Sequence, residues 1–208
     1  MNKVLFMSPF IDQISKGKVF SKIFTNVLRV IAVIAGIAGI VGWILMWKLV
    51  FEIPAAGVVG GIIYQLIFAV LIYMVVHAIL IRANHISKIA DGGYPVIPVV
   101  SVFFKLLGEV YASFAAAVSV GGGILIWFAG RYSYDLLKPV SPFLLKHVGG
   151  EAFLGGLLYI LVGVVFAFFV LVGFYLLSEL FVAVINIAKN TTGLQKAVAP
   201  RAAPRARR

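Results

Sequence analysis

AFLGGLLYILVGVVFAFFVLVGFYLLSELFVAVINI, residues 152–187, contains a single charged side chain, Glu179. A helix needs about 20 predominantly apolar residues to cross the hydrocarbon core of a bilayer, so this run is longer than a span requires. Three more segments of the same kind lie upstream. One covers about 27–47, bounded by Arg29 and Lys48 and stopped by Pro54. One covers 55–81 and ends at Arg82, and one covers about 99–129, with Lys105 and Glu109 near its start and Arg131 just past its end. The last three of the four exceed the hydrocarbon thickness and are expected to tilt or to project as helix beyond it. The whole chain agrees: of 208 residues, 62% are hydrophobic and 12% charged, where a globular domain carries roughly a quarter charged. A mean hydropathy of +1.10 excludes an ordinary soluble domain, which could not hide so much apolar surface. The wealth of Val, Ile, Leu and Phe excludes a disordered chain. Zero cysteines exclude a disulfide scaffold and a thiolate metal site. The expected fold is all-α: a polytopic membrane protein with four transmembrane helices.

Basic residues orient such a chain, because Lys and Arg concentrate on the cytoplasmic side. Lys3, Lys16, Lys18, Lys22 and Arg29 precede or open the first span; Arg82, Lys88 and Lys105 flank the link between the second and third; Lys189, Lys196, Arg201, Arg205, Arg207 and Arg208 follow the fourth. These 14 cations oppose four on the other side: Lys48, Arg131, Lys138 and Lys146. The split predicts both termini in the cytoplasm and 48–55 and 131–151 as outer loops. Trp43, Trp47, Phe51, Trp127, Phe128, Tyr132 and Tyr134 then form the outer aromatic belt. The first apolar stretch is a full span without a short h-region and small-residue cleavage site, so it does not read as a cleavable signal. Residues 1–25 read as an interfacial helix, with Ser8 as cap, Pro9 at the first position and Phe10, Ile11 and Ile14 on one face. In the second outer loop, 135–138 and 141–146 read as short helical turns, the latter with Ser141 as cap and Pro142 at the first position. The domains are therefore 1–26, cytoplasmic and interfacial; 27–98, a first hairpin with its cytoplasmic loop; 99–189, a second hairpin; and 190–208, a disordered basic tail that is too poor in apolar residues to bury a core.

Two landmarks recur in order. Val19-Phe20-Ser21-Lys22-Ile23-Phe24 matches Val102-Phe103-Phe104-Lys105-Leu106-Leu107, and Gly60-Gly61-Ile62-Ile63-Tyr64 matches Gly155-Gly156-Leu157-Leu158-Tyr159. Each half holds two spans, an even number, so the hairpins are expected to be parallel repeats about an axis along the membrane normal. Small residues recur at every fourth position: Gly108, Ala112 and Ala116; Ser113, Ala117 and Gly121; Ala115, Ser119 and Gly123; and Gly163 with Ala167. Helices associate in lipid through such close-packing faces, so the third span is expected to be the most buried or to line an oligomer contact. Gly121-Gly122-Gly123 is no phosphate loop, lying inside a span with no following Gly-Lys-Ser/Thr.

Ionisable groups within a span are costly and raise functional hypotheses by default. Glu109 lies about two turns into the third span, with Lys105 one turn earlier and positioned to pair with it. Glu179 lies about two turns before the basic end of the fourth, with Arg29, Arg82 or Lys105 as expected partners at similar depth. These groups read either as a proton or cation relay or as an ionic cluster that ties helices together, and their place near a boundary favours the cluster. His77, within the second span, could titrate near neutrality, though a lone intramembrane His more often hydrogen-bonds between helices. His85 and His147 fall on opposite sides, no His-Glu-x-x-His occurs, and no acidic cluster has metal-ligand spacing. Asp91-Gly92-Gly93 lacks the continuation that the aspartate motif of phospholipid-headgroup transferases requires. Seven acids in the whole chain leave little room for acid–base pairs. Neither an enzyme nor a cofactor is expected. The cations of the tail, Lys196, Arg201, Arg205, Arg207 and Arg208, suit anionic lipid headgroups. Without interleaved aromatics the tail does not suit nucleic acid. The Asn190-Thr191-Thr192 sequon would be inert on the cytoplasmic side.

Glu179-Leu180-Phe181-Val182-Ala183-Val184-Ile185-Asn186-Ile187 resembles the close of a small bacterial two-span membrane domain of unknown function. That resemblance implies two hairpins in tandem, with a bacterial inner membrane as their location. The expected function is a non-enzymatic scaffold or accessory subunit that packs against itself or other membrane proteins. The alternative is a small channel or transporter using Glu109, Glu179 and His77 near the cytoplasmic side.

Overall fold

Pro54 sets the first corner of the fold. Its backbone, at φ −56° and ψ 151°, caps the second helix, and its ring and missing N–H cannot continue the first. In the computed structural model, which describes residues 18–89, 96–138 and 152–198, the helices are α1 (Lys18–Glu52), α2 (Ala55–Ser87), α3 (Val96–Ala129), a 3-10 turn (Gly130–Tyr132), α4 (Ser133–Leu137) and α5 (Ala152–Val198). No strand occurs among the described residues. The α1–α2 corner is closed by the Gly57 amide donating to the Pro54 carbonyl at 2.7 Å. α3 stops at Gly130, which adopts φ +52°, the left-handed geometry that ends helices and that glycine enters without strain. α1, α2, α3 and α5 are each long and apolar enough to cross a membrane, as in a multi-pass membrane protein.

Consecutive long helices run antiparallel. Gly61 meets Val50 at one end of the α1–α2 pair and Thr25 Oγ1 donates to the Ala83 carbonyl at the other. Gly60 meets Phe128 and Tyr64 meets Gly121 across α2–α3, while Gly123 meets Ile160 and Ser101 meets Ser178 across α3–α5. The helices form an open row, α1–α2–α3–α5, in which α3 packs on both α2 and α5 and α1 packs almost wholly on α2. Half of the apolar stretch of α3 is buried, against 6% of that of α1. The small residues explain the difference: a β-carbon on Gly163 would collide with the Ser119 side chain, and one on Gly123 with Ile160 and the Gly156 carbonyl. The burial expected of the third span is thus observed.

Two apolar clusters tie the row. At the end holding Lys18, Ser87, Val96 and Val198, here the basic end, Leu28, Ala32, Ile79, Ala83, Ile86, Val99 and Leu106 join α1, α2 and α3. At the opposite, loop end, Tyr64, Leu125, Ile126, Ala129, Leu137 and Tyr159 join α2, α3, α4 and α5. Both tyrosines of the Gly-Gly-x-x-Tyr landmarks are in this second cluster, packed on the glycine run of α3. Leu137 on α4 is fully buried there, which anchors the first helical turn expected in the outer loop; the second, at 141–146, lies outside the described residues.

Two expectations need correction. Residues 18–25 form the first turns of α1 itself, not part of a separate interfacial helix, because Thr25 and Leu28 already pack on α2; residues 1–17 lie outside the described set. The tail does not begin at 190: α5 continues to Val198, since nothing between Lys189 and Val198 breaks a helix before Pro200. The tail cations Arg201, Arg205, Arg207 and Arg208 lie outside the described residues.

Candidate functional site

Three long helices each contribute one polar side chain to a single cluster. Arg82, in the last turns of α2, donates Nε–H to Glu109 Oε2 at 2.9 Å and a second bond from Nη2 to Glu109 Oε1. Arg82 Nη2 also reaches the Tyr175 hydroxyl of α5 at 3.0 Å, and that hydroxyl donates to Glu109 Oε1 at 2.6 Å. Arg82 Nη1 lies 3.2 Å from His85 Nδ1, and Lys105 Nζ sits 5.4 Å from the centre of the Tyr175 ring. Glu109 therefore accepts three bonds, two of them from a guanidinium fork whose geometry matches a carboxylate.

The depth of the cluster follows from helix rise. Glu109 lies twenty residues from Ala129, the loop-end terminus of α3, or about 30 Å at 1.5 Å per residue. That equals a full hydrocarbon thickness, so with Ala129 at one boundary of a bilayer the ion pair would lie at the other, on the basic end. Its side chains, 14% and 23% exposed, are partly shielded there. Further toward the basic end, two turns from Glu109 and one from Tyr175, the Ser101 and Ser178 hydroxyls meet at 2.7 Å in a buried contact between α3 and α5. Phe104 stacks on Phe181, with ring centres 5.1 Å apart. The surroundings of the triad are thus polar contacts satisfied within the protein and aromatic packing.

The remaining candidates fall elsewhere. Lys105 does not pair with Glu109, because the bidentate fork from α2 occupies both carboxylate oxygens; Lys105 lies over Tyr175 instead. Glu179 is exposed on α5 and has no ion pair among the described residues. Arg82 is taken by Glu109, and α1, which carries the exposed Arg29, shares no substantial face with α5. His77 does not bond to a neighbouring helix: it is exposed and stacks on the exposed Tyr73 of its own helix at 5.2 Å. No group of three His, Asp or Glu that could hold a metal occurs among the described residues.

Tyr175 and Gln65, like Ser101 and Ser178, are polar residues at helix contacts that the sequence does not mark. Tyr175 completes the triad, and its only signal was a hydroxyl one turn from Glu179. Gln65 is fully buried in α2; its Nε2 donates to the Trp43 carbonyl at 3.2 Å and Trp43 Nε1 donates to its backbone carbonyl at 3.1 Å. Gln65 Oε1 has no hydrogen-bond partner. An apolar groove of about 440 Å³ between α1, α2 and α3 is lined by Gly39, Leu71, Ile72, Val75, Tyr111 and Phe114 among others, and holds none of the charged candidates. Comparison with protein-family models, curated proteins and solved structures returns no match.

Proposed function

We propose that the chain is a non-enzymatic membrane scaffold or accessory subunit, with both termini on the cytoplasmic side and self-association or other membrane proteins as its partners. The observation that carries this reading is the closed Arg82–Glu109–Tyr175 triad. A relay carboxylate must exchange protons with a path, whereas Glu109 spends three acceptor contacts on groups of the same chain. The triad also lies away from the 440 Å³ groove, whose lining is apolar. Bound in this way, the carboxylate joins α2, α3 and α5 and leaves the outward faces of α1 and α5 open, and apolar away from the basic end. Val33, Ile34, Leu45, Phe166 and Phe169 are each 57–65% exposed, as surfaces that meet lipid or other helices would be.

The charge partition supports the orientation, with 14 cations at one end and four at the other. The bacterial inner membrane rests on the resemblance of residues 179–187 to the two-span domain, and the parallel repeat on the two sequence landmarks; the tail cations suit anionic headgroups. Native mass spectrometry from lipid nanodiscs tests the scaffold role: oligomers or stable hetero-complexes are expected. Proteoliposomes containing the protein should pass protons, ions and small solutes no faster than empty ones. A flux that disappears in Glu109→Gln would overturn the scaffold reading.

A further inference from the structure

The open row has two edges, and they carry opposite charge. On α1 the outward stripe is Lys22, Asn26, Arg29 and Val33, spaced i, i+4, i+7 and i+11, so they share one helix face; all four are exposed. On α5 the stripe with the same spacing is Glu179, Ala183, Asn186 and Asn190, also exposed. Both stripes become apolar toward the loop end, through Ile37 and Ile40 on α1 and Phe168 and Leu176 on α5. The depths also correspond. Thr25 bonds to the Ala83 carbonyl; matching residue for residue along antiparallel helices, the Tyr64–Gly121 and Gly108–Phe174 contacts set Ala83 level with about residue 102 of α3 and about residue 180 of α5, so Thr25 lies near the level of Glu179. Lys22 and Arg29, about one turn to either side of Thr25, therefore bracket the level of Glu179. Helical side chains lean toward their own N-termini, so in antiparallel helices Arg29 leans toward the basic end and Glu179 away from it, toward each other. Within one chain they do not meet, because α1 and α5 share no substantial face.

We infer that the α1 edge of one copy packs against the α5 edge of a second copy, with Glu179 paired to Arg29 and Lys22 across the contact. This deepens the scaffold reading and rests on it. A carboxylate facing lipid near the boundary is unfavourable, and a cationic partner at the same depth removes that cost. The contact is heterologous, one edge on a different edge, so it builds a ring if the rotation closes and an open chain if it does not. An anionic lipid could neutralise Lys22 and Arg29 but would be repelled by Glu179, so a second copy satisfies both edges where a headgroup satisfies one.

The chain has no cysteine, so introduced thiols report contacts directly. Full-length chains carrying Asn26→Cys and, separately, Leu176→Cys, which is 61% exposed on the same α5 stripe, are co-expressed with different tags and oxidised in the membrane. The mixed 26–176 dimer is expected to exceed either homodimer. Glu179→Lys in the second chain should lower its yield about fivefold or more, and Arg29→Glu with Lys22→Glu in the first should recover it, as reversing a paired set of charges does. Oligomers in native mass spectrometry with only 26–26 or 176–176 links overturn the edge contact and leave the scaffold reading standing. A monomer without partners overturns both. A link within one chain carrying both thiols, or a mixed yield unmoved by Glu179→Lys, overturns the edge contact.

Discussion

Glu109 accepts two bonds from Arg82 and one from Tyr175, so the three side chains should behave as one unit. Each charge-assisted bond contributes about 1.5–3 kcal/mol where it is shielded, and partial exposure at the boundary moves the pair toward the lower figure. Arg82→Leu and Glu109→Leu are each expected to destabilise the protein by about 1–3 kcal/mol, because each leaves a charge in a poorly hydrated site. The double substitution should cost less than the sum, with a coupling of about 1 kcal/mol or more. Tyr175→Phe should cost about 1 kcal/mol. Unfolding in mixed micelles, followed by circular dichroism and tryptophan fluorescence, measures all four; strictly additive losses would mean that the pair contributes nothing as a pair. Sequence marked Arg82 and Glu109 because charges in apolar runs are few. It paired Glu109 with Lys105 because one-turn spacing is the only geometry a linear reading contains. The fork from α2 depends on how α2 and α3 cross, and a tyrosine inside a long apolar run carries no sign of what its hydroxyl will face.

At the scale of elements, helix contact is set by where a side chain would begin. Gly163 has the Ser119 side chain in the position its own β-carbon would take, whereas Gly173, ten residues along the same helix, has nothing within 4 Å. Gly163→Ala should therefore push α5 off α3 and destabilise the protein by about 1–3 kcal/mol, the usual cost of overpacking. Gly173→Ala should be neutral or stabilise by up to about 1 kcal/mol, since alanine is the better helix former. The same mixed-micelle titration distinguishes them, and equal effects would show that α3 and α5 are not held at this contact. The small-residue spacing was readable, and so were the four spans, because period and composition both depend only on local sequence. Helix lengths were read short at the basic end: Lys18, Lys22 and Arg29 looked like a boundary, yet Thr25 and Leu28 between them already pack on α2. The open order of the helices could not be read, because every helix is apolar enough to pack on any other.

For the whole molecule, the antiparallel order sets the start of α1, the α2–α3 link and the end of α5 at one end, and the α1–α2 corner and the short α4 at the other. By sequence, 14 of 18 cations fall before or at the start of α1, around the α2–α3 link, or at and beyond the end of α5. Translocating that group would carry many charges through the bilayer, each unfavourable by about 2.5–3.5 kcal/mol at its centre, whereas the loop end asks this of four. The proposed orientation thus turns the fold into a labelling experiment. The chain has no cysteine, so Ser87→Cys at the basic end and Lys138→Cys at the loop end each introduce one thiol. Ser87 is in the exposed last turn of α2 and Lys138 is exposed just after α4, so both are accessible to a water-soluble reagent. A membrane-impermeant maleimide is expected to label Lys138→Cys in intact spheroplasts and Ser87→Cys only after lysis. The reverse pattern would invert the orientation and move the triad to the other face. Labelling of both sites in intact cells would indicate that the chain inserts both ways and that its charge does not orient it.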